Sequence, residues 1–205
     1  MAVYTQVSAE KAQALLQLYE VGSLVSLKGI AEGVENSNFL LETNEARFIL
    51  TLYESRVDPE DLPYFHRLLA HLHAAHCPVP RFIEDRQGHW LHDVADRKAC
   101  LIEFLPGISV SEPTETHAAA VGRALGEMHS ALKNFAEIKA NPLGQTSWRA
   151  LFDKCDTKAT EQLQHGLSAR IDQELEWLDT YWPRHLPTGA SHTDLFPDNV
   201  LFNGN

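Results

Sequence analysis

The chain has 205 residues, of which 44% are hydrophobic and 22% are charged, a composition typical of a globular protein of one domain or two small lobes. Its net charge of −11 argues against nucleic acid and anionic membranes as partners. No run approaches the roughly 20 apolar residues of a membrane span, and residues 1–6 lack the features of a signal peptide. Cys77, Cys100 and Cys155 are widely spaced, which indicates reduced thiols. We therefore expect a cytoplasmic protein.

The N-terminal third predicts one helix followed by three strands. Ser8 is placed to cap the helix, and strands are predicted over residues 24–27, 39–43 and 48–53. The helix has its apolar residues on one face: Ala12, Leu15, Leu16 and Tyr19. Between the first two strands lies a predicted loop, residues 28–38, rich in small and amide side chains. Its backbone N–H groups suit phosphate oxygens, and a flexible hairpin loop is the alternative.

A second helix is predicted after Asp58, with a core stripe of Phe65, Leu68, Leu69 and Leu72. Four histidines lie on or beside it: His66, His71, His73 and His76. No cysteine or carboxylate completes a metal-ligand set with them, so we expect a solvated face rather than a metal site.

Further strands are predicted around Ile83, over residues 89–91, and over residues 99–105, where Pro106-Gly107 ends the last one. From these segments we expect a five-stranded antiparallel sheet in an N-terminal nucleotide-binding lobe, residues 1–105. Helices follow: one capped by Thr114, with Val121, Leu125, Met128 and Leu132 on one side, and two more over residues 148–165 and 169–181. The fold class is therefore α+β, with residues 106–205 forming a mainly helical lobe.

Residues 191–202 contain the pattern that points to chemistry. His192, Asp194 and Asn199 are followed directly by an apolar run. In phosphoryl transfer, an Asp in such a loop orients the acceptor hydroxyl and takes its proton, and an Asn five residues later can ligate magnesium. A short turn between them would let both side chains face one phosphoryl group. A polar turn before a strand is the alternative.

The loop after the first strand, residues 103–107, residues 126–129 and the loop that carries His192, Asp194 and Asn199 resemble kinases of the aminoglycoside phosphotransferase family. Within that family, residues 29–38, 48–54 and 192–200 resemble the bacterial homoserine kinases. The resemblance implies a bilobal, protein-kinase-like fold. It also implies Mg²⁺-dependent transfer of the ATP γ-phosphate to the hydroxyl of L-homoserine. A kinase for another amino alcohol or an aminoglycoside, and an ATP-binding module without turnover, remain alternatives.

The same resemblance implies roles for individual residues. Asp194 would be the catalytic base, His192 would hold its loop in shape, and Asn199 would ligate magnesium. The residues expected to cover the phosphates are Gly33, Asn36, Ser37 and Asn38. Those expected to present backbone groups to adenine are Glu103, Phe104 and Leu105.

The sequence departs from the family pattern in three places. Thr51 stands where the third strand of kinases usually carries a phosphate-binding lysine, and the usual acidic partner falls near Phe65. We expect Lys28, Arg47, backbone N–H groups and magnesium to meet the phosphate charge instead. The third departure is a hairpin signal, Asn203-Gly204, after a predicted strand at residues 200–202. In this family the returning strand carries a second magnesium-binding Asp, so we expect the chain to be a fragment, or a truncated gene product, that lacks part of the helical lobe.

Overall fold

The computed structural model describes residues 4–31, 36–54 and 57–204. These residues form two compact units. One comprises the described residues up to Glu137 together with those from Ser191 onward, and the other spans residues 138–190. The predicted α+β class is confirmed. The predicted lobe boundary after residue 105 stays a prediction.

The larger unit is built on a five-stranded sheet in the order β1-β2-β3-β5-β4, with every neighbouring pair antiparallel. Its strands are β1 Leu24–Ile30, β2 Asn36–Thr43, β3 Arg47–Tyr53, β4 His92–Val94 and β5 Arg97–Glu103. The predicted five-stranded antiparallel sheet is confirmed. Since side chains alternate along a strand, the sheet has two distinct faces.

One face of the sheet forms the core with the first helix, α1 Ala9–Leu16. Ser8 begins this helix as predicted, because its Oγ accepts a hydrogen bond from the Lys11 amide at 3.3 Å. The predicted helix face is buried, and it packs on the odd-numbered residues of β2 and even-numbered residues of β3: Phe39, Leu41, Phe48, Leu50 and Leu52. Burial of each such side chain contributes about 1.5–3 kcal/mol.

Three predicted details of this sheet are wrong. The loop over residues 28–38 is shorter, because β1 extends to Ile30 and β2 begins at Asn36. The strand at residues 89–91 lies three residues further on, at His92–Val94, and the segment around Ile83 makes only a single bridge, Phe82 to Ile102. A two-residue turn sets the register of β4 against β5. Its residues, Ala95 and Asp96, have positive φ angles of 51° and 61°. Neither is a glycine, so the usual sequence signal of such a turn is missing.

Two longer helices complete this unit, α2 Leu62–Ala74 and α3 Glu115–Leu132. Thr114 caps α3 as predicted, through a reciprocal pair of contacts with His117. The predicted core stripe of α2 is only partly correct, since Leu72 is buried but Phe65 is 39% exposed. Arg67 of α2 forms a bidentate ion pair with Glu137, in the segment that follows α3, with N···O distances of 2.5 and 2.7 Å.

The smaller unit contains α4 Gln145–Phe152, α5 Thr157–Leu163 and α6 Leu167–Tyr181. A single helix over residues 148–165 is therefore wrong: Asp156 begins a new helix by accepting a hydrogen bond from the Lys158 amide at 2.8 Å. Arg149 on α4 pairs with Asp172 on α6. Nowhere in the described part of the chain is a helix both long and apolar enough to cross a membrane.

Candidate functional site

A short 3-10 turn, Pro197–Asn199, returns the chain so that Asn199 contacts Asp194. The Asn199 amide nitrogen Nδ2 donates to the main-chain oxygen of Asp194 at 2.8 Å and to its carboxylate Oδ2 at 2.9 Å. Both residues are exposed. The contacts leave Asn199 Oδ1 and Asp194 Oδ1 available to a ligand, and both are oxygen donors of the kind that Mg²⁺ prefers. Two of the three residues of the motif, Asp194 and Asn199, are thus brought together.

The residues just before Asp194 do not show the contacts that the sequence predicts. Thr193 has φ of 59°, a left-handed conformation that a β-branched residue rarely adopts. His192 is exposed and has no hydrogen bond or ion pair within the described residues, so its supporting role stays a prediction. The contact that does hold this part of the loop is between Ser191 Oγ and His129 Nε2 of α3, at 3.4 Å.

The far side of the loop is tied to the connector that follows β5. Ile108 and Phe202 exchange two backbone hydrogen bonds, of 3.0 and 2.9 Å. The connector approaches closely at Gly107, where an added Cβ would lie 2.9 Å from the Cβ of Leu201. The predicted strand over residues 200–202 is wrong, because this one bridge is its only pairing in the described structure.

The connector residues expected to meet adenine are not equivalent. The Glu103 amide donates to Arg81 O at 2.9 Å, so this backbone donor is satisfied within the protein. Phe104 and Leu105 lie beyond the last ladder pair, Phe48 with Glu103, and their backbone groups have no turn or loop hydrogen bond in the described structure. The guanidinium of Arg47 lies over the Phe104 ring, 5.5 Å from its centroid.

At the opposite end of the sheet, Gly33 lies outside the described residues, whereas Asn36, Ser37 and Asn38 form the start of β2. The hydroxyl of Ser37 is buried and fully engaged: it donates to Glu54 Oε1 at 2.7 Å and accepts from the amides of Tyr4 and Thr5 at 2.9 and 3.0 Å. Ser37 therefore ties the N-terminal segment to the sheet.

Asn36 and Glu54 complete this end of the sheet. Asn36 Oδ1 is buried and has no hydrogen-bond partner among the described residues, and such an orphaned acceptor costs about 1–3 kcal/mol. Burial pushes the pKa of Glu54 upward, but the hydrogen bonds from Ser37 and from Arg97, at 2.8 Å, outweigh it and hold that pKa below its usual value. Glu54 is therefore ionised at neutral pH.

The sheet face turned away from α1 carries the polar side chains nearest to the predicted phosphate site. Asn38 pairs across the ladder with Thr51, and the Thr51 hydroxyl donates to Asn38 Oδ1 at 2.9 Å. Lys28 lies on the same face, opposite Leu40, and its side chain is exposed. Burial raises the pKa of the Cys100 thiol on this face to about 12, so it stays protonated and unreactive. The described residues contain no group of three or more His, Cys, Asp or Glu able to hold a metal ion.

This combination of an antiparallel sheet, a connector and an Asp–Asn loop defines a kinase-like phosphotransferase fold. The model of the family described as "Phosphotransferase enzyme family" matches residues 26–205. The chain belongs to that family.

Named relatives and solved structures agree with this assignment. The chain is 48% identical over its whole length to a homoserine kinase of Caulobacter vibrioides (strain NA1000 / CB15N) and 50% identical to one of Rhodopseudomonas palustris (strain HaA2). It spans 64% and 62% of those proteins.

Among solved structures, spectinomycin phosphotransferase in complex with ADP and spectinomycin has a TM-score of 0.64 at 14% identity, covering 97% of this chain and 66% of that one. A microcompartment-associated aminopropanol kinase has a TM-score of 0.54 at 22% identity, covering 69% and 46%. At these identities the structures show a shared fold alone.

Proposed function

We propose that this protein transfers the γ-phosphate of ATP to a hydroxyl of a small molecule, and that the acceptor is L-homoserine. The observation that carries the reaction type is the Asp194–Asn199 pair, which presents one free carboxylate oxygen and one free amide oxygen on an exposed loop. Homoserine as the acceptor is supported by two homoserine kinases to which the chain is 48% and 50% identical over its length.

In this proposal Asp194 is the general base. Its Oδ2 is held by the Asn199 amide at 2.9 Å, which fixes the carboxylate in one orientation and leaves Oδ1 for the acceptor. Oδ1 would orient the acceptor hydroxyl and accept its proton as the acceptor oxygen bonds to the γ-phosphorus of ATP, while the bond from that phosphorus to the β–γ bridging oxygen breaks and ADP leaves. Orientation of this kind accounts for much of catalysis in phosphoryl transfer, because the protein forms no covalent bond to the phosphoryl group.

Asn199 Oδ1 is the atom that would hold a magnesium ion. The donor is a hard oxygen, and Mg²⁺ characteristically takes one or two protein oxygens together with phosphate oxygens and water, so the residues present fit the ion. When bound, the ion would offset the negative charge on the transferred phosphate.

The nucleotide would lie along the sheet face turned away from α1. On β3, Phe48 pairs with Glu103 at the connector, and Tyr53 pairs with Asn36 at the other end. At the usual rise of about 3.4 Å per residue these positions are about 17 Å apart, a span suited to an extended nucleoside triphosphate. Adenine would contact the backbone of Phe104 and Leu105, and the phosphates would lie near Asn36 and Asn38.

The experiment that tests the proposal is an acceptor panel. The 205-residue chain is incubated with MgATP and, separately, L-homoserine, 1-amino-2-propanol and an aminoglycoside, and phosphorylated products are detected by mass spectrometry. We expect O-phosphohomoserine, formed about 10²–10⁴-fold more slowly when Asp194 is replaced by Ala. Product from another acceptor alone would refute homoserine while keeping the reaction type.

A nucleotide-binding module without turnover is the second candidate. It is favoured by the coverage of the relatives, since the chain spans 64% and 62% of the homoserine kinases that it resembles. Saturable MgATP binding, with no phosphorylated product from any acceptor, would decide for this candidate.

A further inference from the structure

We infer that Thr51 is a positioning residue for nucleotide phosphate, acting through Asn38, and that this neutral pair occupies the place where other kinases use a lysine. This inference rests on the proposed function, because it deepens the account of the same nucleotide site. It begins from one hydrogen bond, Thr51 Oγ1 to Asn38 Oδ1, at 2.9 Å.

The bond determines what Asn38 presents to a ligand. An asparagine side chain has one acceptor and one NH₂ group with two donors. Because Thr51 supplies the proton that the Asn38 oxygen accepts, the Asn38 NH₂ group is turned the other way. No hydrogen bond from that NH₂ group to a described residue is present, so two donors remain for a ligand. Donors of this kind suit a phosphate oxygen, which accepts but does not donate.

The position of the pair supports a phosphate ligand. Asn38 pairs with Ile30, the last residue of β1, and therefore lies at the sheet end where the chain crosses from β1 to β2. It is half-buried, on the face opposite the α1 core, and shares that face with the exposed cation Lys28. Thr51 itself is 5% exposed, so its hydroxyl is too deep to meet a ligand directly. Its effect must pass through the amide that it orients.

A neutral Thr–Asn pair and a lysine would contribute differently to phosphate binding. The Asn38 amide donates directed hydrogen bonds but carries no charge, so the phosphate charge has to be met by Lys28 and by a bound cation. Loss of the Thr51 hydroxyl leaves the Asn38 oxygen without its donor and frees the amide to rotate. The expected consequence is weaker binding of phosphorylated ligands only, because the adenosine portion lies toward the connector.

The test uses four variants of the 205-residue chain, with affinities for MgADP and for adenosine measured by calorimetry. Thr51→Val is nearly isosteric and removes the hydroxyl, and we expect it to weaken MgADP about 3- to 10-fold, the range of one hydrogen bond. Adenosine affinity should stay within about 2-fold of wild type. Thr51→Ser keeps the hydroxyl and should bind MgADP with an affinity close to that of wild type. Asn38→Asp keeps an acceptor for Thr51 but replaces both donors with a negative oxygen, and should weaken MgADP more than about 10-fold.

Thr43→Val is the matched control. Thr43 is also 5% exposed and lies at the far end of β2. Its hydroxyl donates to Ala46 O at 3.1 Å and accepts from the amides of Glu45 and Ala46 at 3.2 and 3.0 Å. This control should lower the melting temperature at least as much as Thr51→Val does but leave MgADP affinity unchanged. The inference is overturned if Thr51→Val binds MgADP like wild type, if Thr43→Val weakens MgADP equally, or if adenosine binding falls in parallel. If wild-type protein binds neither MgADP nor MgATP, the proposed function fails, and the inference fails with it.

Discussion

The two parts of the candidate site are held in the fold by very different means. Asn38 and Thr51 lie in adjacent strands whose other face is a core with Leu41 and Leu50 fully buried. Asp194 and Asn199 are exposed and depend on their own two hydrogen bonds, with the Ile108–Phe202 bridge close by. Under the proposed function, the sheet would provide fixed nucleotide contacts and the loop would provide the reacting groups. Substitutions in the loop should therefore change chemistry, and substitutions in the sheet should change stability or affinity.

The largest effect is expected from the loop. Replacing Asp194 with Ala removes the proposed general base, and kcat for phosphoryl transfer should fall by about 10²–10⁴-fold. Because Asp194 is exposed, the melting temperature and the MgADP affinity should stay close to wild type. Turnover near the wild-type rate would contradict the assignment of the base, and a large loss of stability would contradict the comparison itself.

The sheet should show the opposite behaviour. Leu50 is fully buried in the core, so Leu50→Ala should lower the free energy of unfolding by about 2–5 kcal/mol, measured by urea denaturation. Leu163→Ala is the matched control, because Leu163 is 83% exposed and the same truncation there should cost less than about 0.5 kcal/mol. Equal losses at both positions would mean that the sheet core is not the main source of stability.

Features that depend on residues close together in the chain could be predicted from the sequence. The helix caps Ser8 and Thr114 were predicted correctly, because a cap depends on residues only three positions apart. The short turn that places Asp194 and Asn199 side by side was also predicted, since they lie five residues apart in one loop. Ser37 was not: its hydroxyl is occupied by groups 17 to 33 residues away, and no local pattern reveals such partners. The turn at Ala95 and Asp96 was missed because neither residue is a glycine.

A smaller effect is expected from the cations that accompany the sheet. Lys28 is exposed on the face of Asn38, so Lys28→Ala should raise the ATP KM several-fold by removing a charge from the phosphates. Arg47 lies at the connector end, 3.9 Å from Glu42 and over Phe104, and Arg47→Ala should raise the ATP KM less. An unchanged ATP KM in both variants would show that neither cation meets the phosphate charge.

The smallest effect concerns acid stability. Glu54 has a lowered pKa in the folded chain, so it stabilises the fold above its unfolded pKa of about 4.3, and this contribution is lost as pH falls through the folded pKa. The stability difference between wild type and Glu54→Gln should therefore be present at pH 7 and shrink below about pH 4. Melting temperatures across this range measure it. A difference that stays constant with pH would rule out the carboxylate as its source.

The central claim is that nucleotide binds on the sheet face turned away from α1. The most direct measurement is a set of backbone amide NMR spectra of the 205-residue chain, recorded as MgADP is added. We predict that the largest shift changes fall at Asn36 to Asn38, at Phe104 and Leu105, and at Asn199. Changes confined to α1 and the segment following it, with these amides unmoved, would contradict the account.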